Sequence, residues 1–389
     1  MSRRIPTPRP DTPLAAFRGQ NDPTPLSARA ITASLEVPGC RRRSLFDAAG
    51  ISLDRVAPLL GCPSGEQAKH AFSRGNAFET QVMANDGADL IALLREHFSL
   101  TIDRVRVADL SSQQVQSAHG GRGRQLNRTR ARLTAQHLQR MLTGDPSAPT
   151  LLRHALTTLT LGGEPAYLEQ DALAVVADGA CHIIEIKSFP KIDGRADEQK
   201  ADAAARQSAV YALSLIEVVG RLGLPAAAVS MQALLVIPEN FSLTPVANVI
   251  DLTTRVRRLQ RSLRQRPTEA ELAELLSEGA SLPLLPPDES DPSWAAAATQ
   301  TRQVFEAVPA RFGDGCLSCP TFRFCRDEAQ RTGAVAQLGT NAINACGSVT
   351  STRTALELAA GRRTPDGGPE TALAQHLQRA TTIRRAITA

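Results

Sequence analysis

Lysine is nearly missing from this chain. Of 44 Lys plus Arg residues only Lys69, Lys187, Lys191 and Lys200 are lysine. Arginine is therefore the default cation, and a lysine kept against that bias is expected to be there for its compact ammonium, which a planar guanidinium does not replace. Long apolar runs are absent too: nothing approaches the roughly 20 residues of a membrane span, and the opening MSRRIPTPRPDTP has no apolar signal core. A cytoplasmic protein with no membrane partner is the expectation. No G-x-x-x-x-G-K-[ST] stretch occurs, so any duplex unwinding would have to come from a partner. No internal repeat is found.

What is present is enough for a folded protein. Apolar residues make up 42% of 389 positions, sufficient to fill one large domain or two ordinary ones. The net charge of +5 is a mild bias toward polyanions and decides nothing by itself. Seven cysteines, an odd number with no export signal, argue against a disulfide framework and raise thiolate ligation of a metal instead.

Along the chain, residues 1–28 are rich in proline among polar residues and read as a mobile tail, with structure beginning near Ala30. Residues 29–70 read as a short helical segment. From there to Phe98 apolar positions recur every three to four residues, and AFETQVMANDGADLIALLREHF reads as one long helix. RTRARLTAQHLQRML is a basic amphipathic helix, ended by Gly144, Asp145 and Pro146; its basic face suits a phosphate backbone or simply water. HALTTLTLGG, AYLEQDALAVVADG and CHIIEIKSF read as antiparallel strands with turns at Gly162-Gly163 and Asp178-Gly179. A long helix over DEQKADAAARQSAVYALSLIEVV, a strand in VSMQALLVIPE and an edge strand in VANVID follow. Helices are expected near 252–265, 268–278 and 293–307. Residues 71–265 thus form an α/β core, 266–346 a helical cysteine-bearing segment, and 347–389 a partly helical tail.

Glu185 and Lys187 flank Ile186 on one strand, and alternation puts both on the same face of the sheet. A hairpin turning near Asp178 would bring Asp171 beside them. Two carboxylates and waters make an ordinary magnesium site, and a nearby ammonium could orient the attacking water or stabilise charge developing on phosphorus. A bare E-x-K is nonetheless usually a surface salt bridge. Near the C-terminus, Cys316, Cys319 and Cys325 stand as C-x₂-C-x₅-C. They can cover one side of a zinc ion or an iron–sulfur cluster, either of which needs a fourth ligand from elsewhere; Cys40, Cys62 and Cys346 are the candidates. Cys181 reads as a small core residue.

These residues together resemble the RecB-like branch of the PD-(D/E)XK nuclease superfamily, including the CRISPR-associated RecB-like exonucleases and the AddB nuclease domain. Asp171, Glu185 and Lys187 match its acid and E-x-K positions, and Gln207 and Tyr211 match its Q-x-x-x-Y, four residues apart on one helical face. Its G-x-x-x-H is represented by Gly75-Asn76-Ala77-Phe78-Glu79, with glutamate at the histidine position. The resemblance covers roughly residues 35–330. It implies a restriction-endonuclease-like core, a central mixed sheet flanked by helices, with a helical iron–sulfur subdomain formed by the N- and C-terminal segments. By it, Glu79, Asp171, Glu185 and the carbonyl of Ile186 would hold Mg²⁺ or Mn²⁺. Asp171, Glu185, Lys187, Gln207 and Tyr211 would serve catalysis, and Cys40, in a C-x-R-R context, would join Cys316, Cys319 and Cys325 on a [4Fe-4S] cluster. The implied activity is metal-dependent hydrolysis of DNA, more as an exonuclease than an endonuclease. Its partners would be single-stranded DNA or duplex ends and a helicase or other repair or defence protein. The alternative is a non-catalytic nucleic-acid-binding or complex-building protein that keeps the fold.

Overall fold

The computed structural model describes residues 12–62, 69–98, 105–161, 164–175 and 179–388. The chain divides into two compact units. One holds residues 25–32 and 66–264, and the other holds 1–24, 33–65 and 265–389.

The first unit is built on a six-stranded mixed sheet. In chain order its strands are β1 (Val107–Asp109), β2 (Leu151–Leu161), β3 (Glu164–Val175), β4 (Cys181–Ile186), β7 (Gln232–Pro238) and β8 (Pro245–Asp251), and they lie side by side in that order. A separate hairpin of β5 (Lys191–Ile192) and β6 (Arg195–Ala196) turns at Asp193 and Gly194, both at positive φ, as a two-residue loop of this type requires. β2, β3 and β4 are antiparallel neighbours, as their alternation suggests, and β8 lies at the edge antiparallel to β7. β4 and β7 are parallel, so the chain between them must cross over the sheet. The helix Glu198–Arg221 makes that crossing, opened by Asp197, whose side chain accepts from the amide of Lys200 at 3.0 Å, the favoured N-cap arrangement.

Every residue of β4 is buried, as expected of a central strand covered on both faces. Ile184 and Ile186 pack with Leu151, Ala172 and Val236 against Phe78, Val82, Leu90 and Leu94. The other face carries the helices Gly123–Leu142 and Glu198–Arg221. The single long helix expected over residues 77–98 is instead two, Lys69–Val82 and Ala84–Phe98, interrupted at Asn85, Asp86 and Gly87, all three at positive φ. Asn, Asp and Gly are the residues that enter this left-handed region most readily, so the break was written in NDG and masked by the apolar periodicity around it. β1 was not anticipated, because three residues are too few to show alternation.

The second unit is helical. Phe17, Phe46, Phe305 and Phe324 form an edge-to-face chain through its core. Phe17 belongs to a helix, Pro13–Arg18, within the stretch expected to be mobile, and is fully buried; structure therefore begins at least as early as Thr12. Residues 1–11, and the expected turn residues Gly162, Gly163 and Asp178, lie outside the described residues. The C-terminal stretch forms two helices, Thr352–Ala359 and Gly367–Thr388, with a small core of Val349, Leu358, Leu373 and Ala374. No helix among the described residues is long and apolar enough to cross a membrane.

Candidate functional site

In the sheet unit the acid, E-x-K and Q-x-x-x-Y residues converge. The antiparallel register Ala172↔Ile184, continued by one residue, sets Asp171 opposite Glu185. Asp171 Oδ2 accepts the amide of Ile186 at 2.8 Å. Lys187 Nζ lies 2.5 Å from Glu185 Oε1. Glu185 is 0% exposed, and its Oε2 has no hydrogen-bond partner among the described residues. A buried carboxylate oxygen without a donor is costly, and burial pushes Glu185 up to about 7 despite the nearby ammonium of Lys187. Burial likewise raises Asp171, against the pull of Lys187. Lys187 is held above its ordinary value: burial works against its charge, but Glu185 and Asp171 more than offset that.

Gln207 Nε2 donates to Tyr211 Oη at 2.7 Å. Tyr211 is buried, and its hydroxyl is held well above the usual phenol value by burial and then by the negative charges of Glu185 and Asp171. Its phenol therefore remains a neutral hydrogen-bonding group. Ile186 turns its side chain into the opposite face of the sheet, leaving only its main chain at the acids.

Glu79 is close enough to raise Asp171 and stabilise the charge of Lys187. Its direct partner is a residue that sequence reasoning missed: His154 Nε2 is 3.1 Å from Glu79 Oε1, and Nδ1 is 3.0 Å from Asp109 Oδ1. The hydrogen bond to Glu79 raises His154, and the same bond lowers Glu79. Asp109 is also lowered: burial opposes this, but the amide of Ser111 and His154 outweigh it. His154 sits in β2 at φ +51°, a left-handed conformation that costs a non-glycine residue roughly 1–3 kcal/mol. Its carbonyl accepts from Arg130 Nη2 at 3.0 Å, and Arg130, itself buried, also donates to the carbonyl of Leu110 and to Glu169. In the β2–β3 register it falls opposite Asp171. The sequence signal was slight: Arg153-His154 is a polar pair where a half-buried strand should alternate.

In the helical unit Cys40, Cys316, Cys319 and Cys325 line one pocket with Arg42 and Arg43. Cys40 ends the turn before the helix Arg41–Ala48, and the other three come from the segment 314–325. Arg42 Nη1 donates to Cys325 Sγ at 3.3 Å while its fork clasps Glu328 at 2.8 and 3.1 Å. The Gly313 amide donates to Cys316 Sγ at 3.4 Å. Burial pushes the Cys316 thiol up to about 11 and Cys325 to about 12. Cys62 lies instead in the apolar core, Cys346 beside the C-terminal helices, and Cys181 buried in β4. Gly315 allows the approach of this loop to the N-terminal segment: a Cβ there would stand 2.8 Å from both the Ala33 carbonyl oxygen and Glu36 Cβ.

An oxygen-donor set with a buried, partnerless carboxylate oxygen suits a hard divalent cation, and four thiols facing one pocket suit a thiolate-held metal or cluster. Among the described residues no group of three or more His, Cys, Asp or Glu is arranged to hold a metal ion. No family model matches the chain, and no curated protein matches it. A solved structure described as "Crystal structure of SSO0001" is similar over 49% of this chain and 94% of its own, with 13% identity and a TM-score of 0.18, too distant to support an argument about fold or function.

Proposed function

We propose that the protein is a divalent-metal-dependent nuclease that hydrolyses DNA, with a restriction-endonuclease-like sheet unit and a [4Fe-4S] cluster in its helical unit. The observation that carries the reading is Glu185: a fully buried carboxylate with one oxygen lacking a hydrogen-bond partner, beside Asp171 and Lys187. A fully buried carboxylate that leaves one oxygen without a donor is costly as structure and useful as a ligand.

Glu79, Asp171 and Glu185, with the carbonyl of Ile186, would hold Mg²⁺ or Mn²⁺. The bound cation would polarise a phosphoryl oxygen and make water more acidic. Lys187, beside these acids, would orient the attacking water or stabilise charge developing on phosphorus. Tyr211, kept neutral and fixed by Gln207, supports the acids or donates to the substrate backbone. Cys40, Cys316, Cys319 and Cys325 would hold the cluster as thiolates, with the donor from Arg42 steadying Cys325. Exonuclease action on single strands or duplex ends, and a helicase or other repair or defence protein as partner, follow from the family resemblance.

The test is an anaerobic cleavage assay on end-labelled single- and double-stranded DNA with Mn²⁺ or Mg²⁺. Cleavage by the native protein that is lost in Lys187→Ala is the expected result. DNA binding without cleavage by either protein would replace this reading with a non-catalytic binding protein.

A further inference from the structure

The helix Gly123–Leu142 carries a basic solvent face. Its 20 residues contain five arginines and no acid. Arg130 turns inward to Glu169 and the carbonyl of His154, and Arg140 pairs with Asp145. Arg124, Arg128 and Arg132 are exposed and have no carboxylate partner among the described residues. Their spacing of four places them on one stripe, a step of about 6 Å apart along the axis. The other exposed positions of the helix are Gly123, Gln125, Gln136 and Gln139.

We propose that this stripe binds the sugar–phosphate backbone of a nucleic acid. Unpaired guanidinium groups repel one another and gain most from a polyanion that replaces many small counterions. Roughly 12 Å separate Arg124 from Arg132 along the axis, which matches three to four phosphates of one strand at about 3.4 Å of axis each. Gln125, exposed beside Arg124, adds a neutral donor. An anionic lipid surface is disfavoured because the exposed positions hold no aliphatic or aromatic side chain to insert. Contacts of this kind position without reading bases, so binding should be indifferent to sequence. As a substrate tract the stripe rests on the nuclease reading; as a binding surface it is tested without cleavage.

The helix Thr253–Arg264 provides a control, being likewise free of acids, with Arg257, Arg261 and Arg264 exposed. Anisotropy of a fluorescein-labelled single-stranded oligonucleotide would be measured in chelator across about 50–200 mM salt. The proteins compared are the native chain, the triple variant R124Q/R128Q/R132Q and the control triple R257Q/R261Q/R264Q. Glutamine keeps helix propensity, and a melt confirms folding. The stripe variant should bind at least tenfold more weakly, with a salt slope smaller by about 2–3, while the control keeps most of both. An unchanged slope, an equal loss in the control, no oligonucleotide binding by the native protein, or a preference for phosphatidylserine vesicles would each overturn the proposal. Because cleavage is scored separately with Lys187→Ala, either proposal can fail without the other.

Discussion

Glu185 shows how one atom can separate a structural role from a chemical one. Its folded-state value near 7 lies above the ordinary 4.5. As pH rises from about 4.5 to 7 the unfolded chain gives up this proton first, so the folded state loses stability across that window. Glu185→Gln removes the charge and keeps the shape. In chelator at pH 8 we expect its melting temperature to exceed that of the native protein by several degrees, and in Mn²⁺ or Mg²⁺ its cleavage to be abolished; a lower melting temperature would mean the carboxylate is structurally required. His154 tests the opposite case. Replacing it with Ala removes both carboxylate contacts and leaves the left-handed backbone, so a loss of about 2 kcal/mol is expected in denaturant unfolding. A neutral outcome would mean that the two contacts contribute no net stability.

At the level of elements, glycine placement separates a packing constraint from a motif. Gly315→Ala drives a methyl into the Ala33 carbonyl and Glu36 Cβ, and overpacking of this kind costs about 1–3 kcal/mol. Gly75 belongs to the matched G-x-x-x-E, yet a Cβ there would meet nothing nearer than Ser188 Oγ at 3.9 Å. Gly75→Ala should therefore leave stability unchanged or raise it by up to about 1 kcal/mol through helix propensity. Urea unfolding of both variants checks the pair, and the reverse ranking would refute the packing account.

Across the whole molecule, the helical unit joins the two ends of the chain: Arg42 reaches Cys325 across 283 positions. A metal group tying such distant segments together should stabilise strongly, because binding and folding are then one equilibrium. Cys319→Ala purified without oxygen is expected to lose colour and iron and to melt well below the native protein. A colourless native protein with stoichiometric zinc would replace the cluster by a zinc site, and unchanged melting with iron retained would remove Cys319 from the ligand set.

Much of the sheet and most of the candidate site were legible because they rest on short-range rules. Strand alternation put Glu185 and Lys187 on one face, and the spacing of four put Gln207 with Tyr211. The broken helix was legible in principle from NDG. His154 and Asp109 were not, because neither stands out within its own segment. His154 becomes a partner of Glu79 only when β1 pairs with β2 and Arg130 holds the strand backbone in a left-handed turn. The choice of Cys40 over Cys62 at the pocket likewise depended on where distant segments pack. The sequence alone determined which side chains the chain offers and at what local spacing, since residue type and period are written in it directly. Only the tertiary structure decided which groups face one another, because that follows from burying apolar surface across long separations.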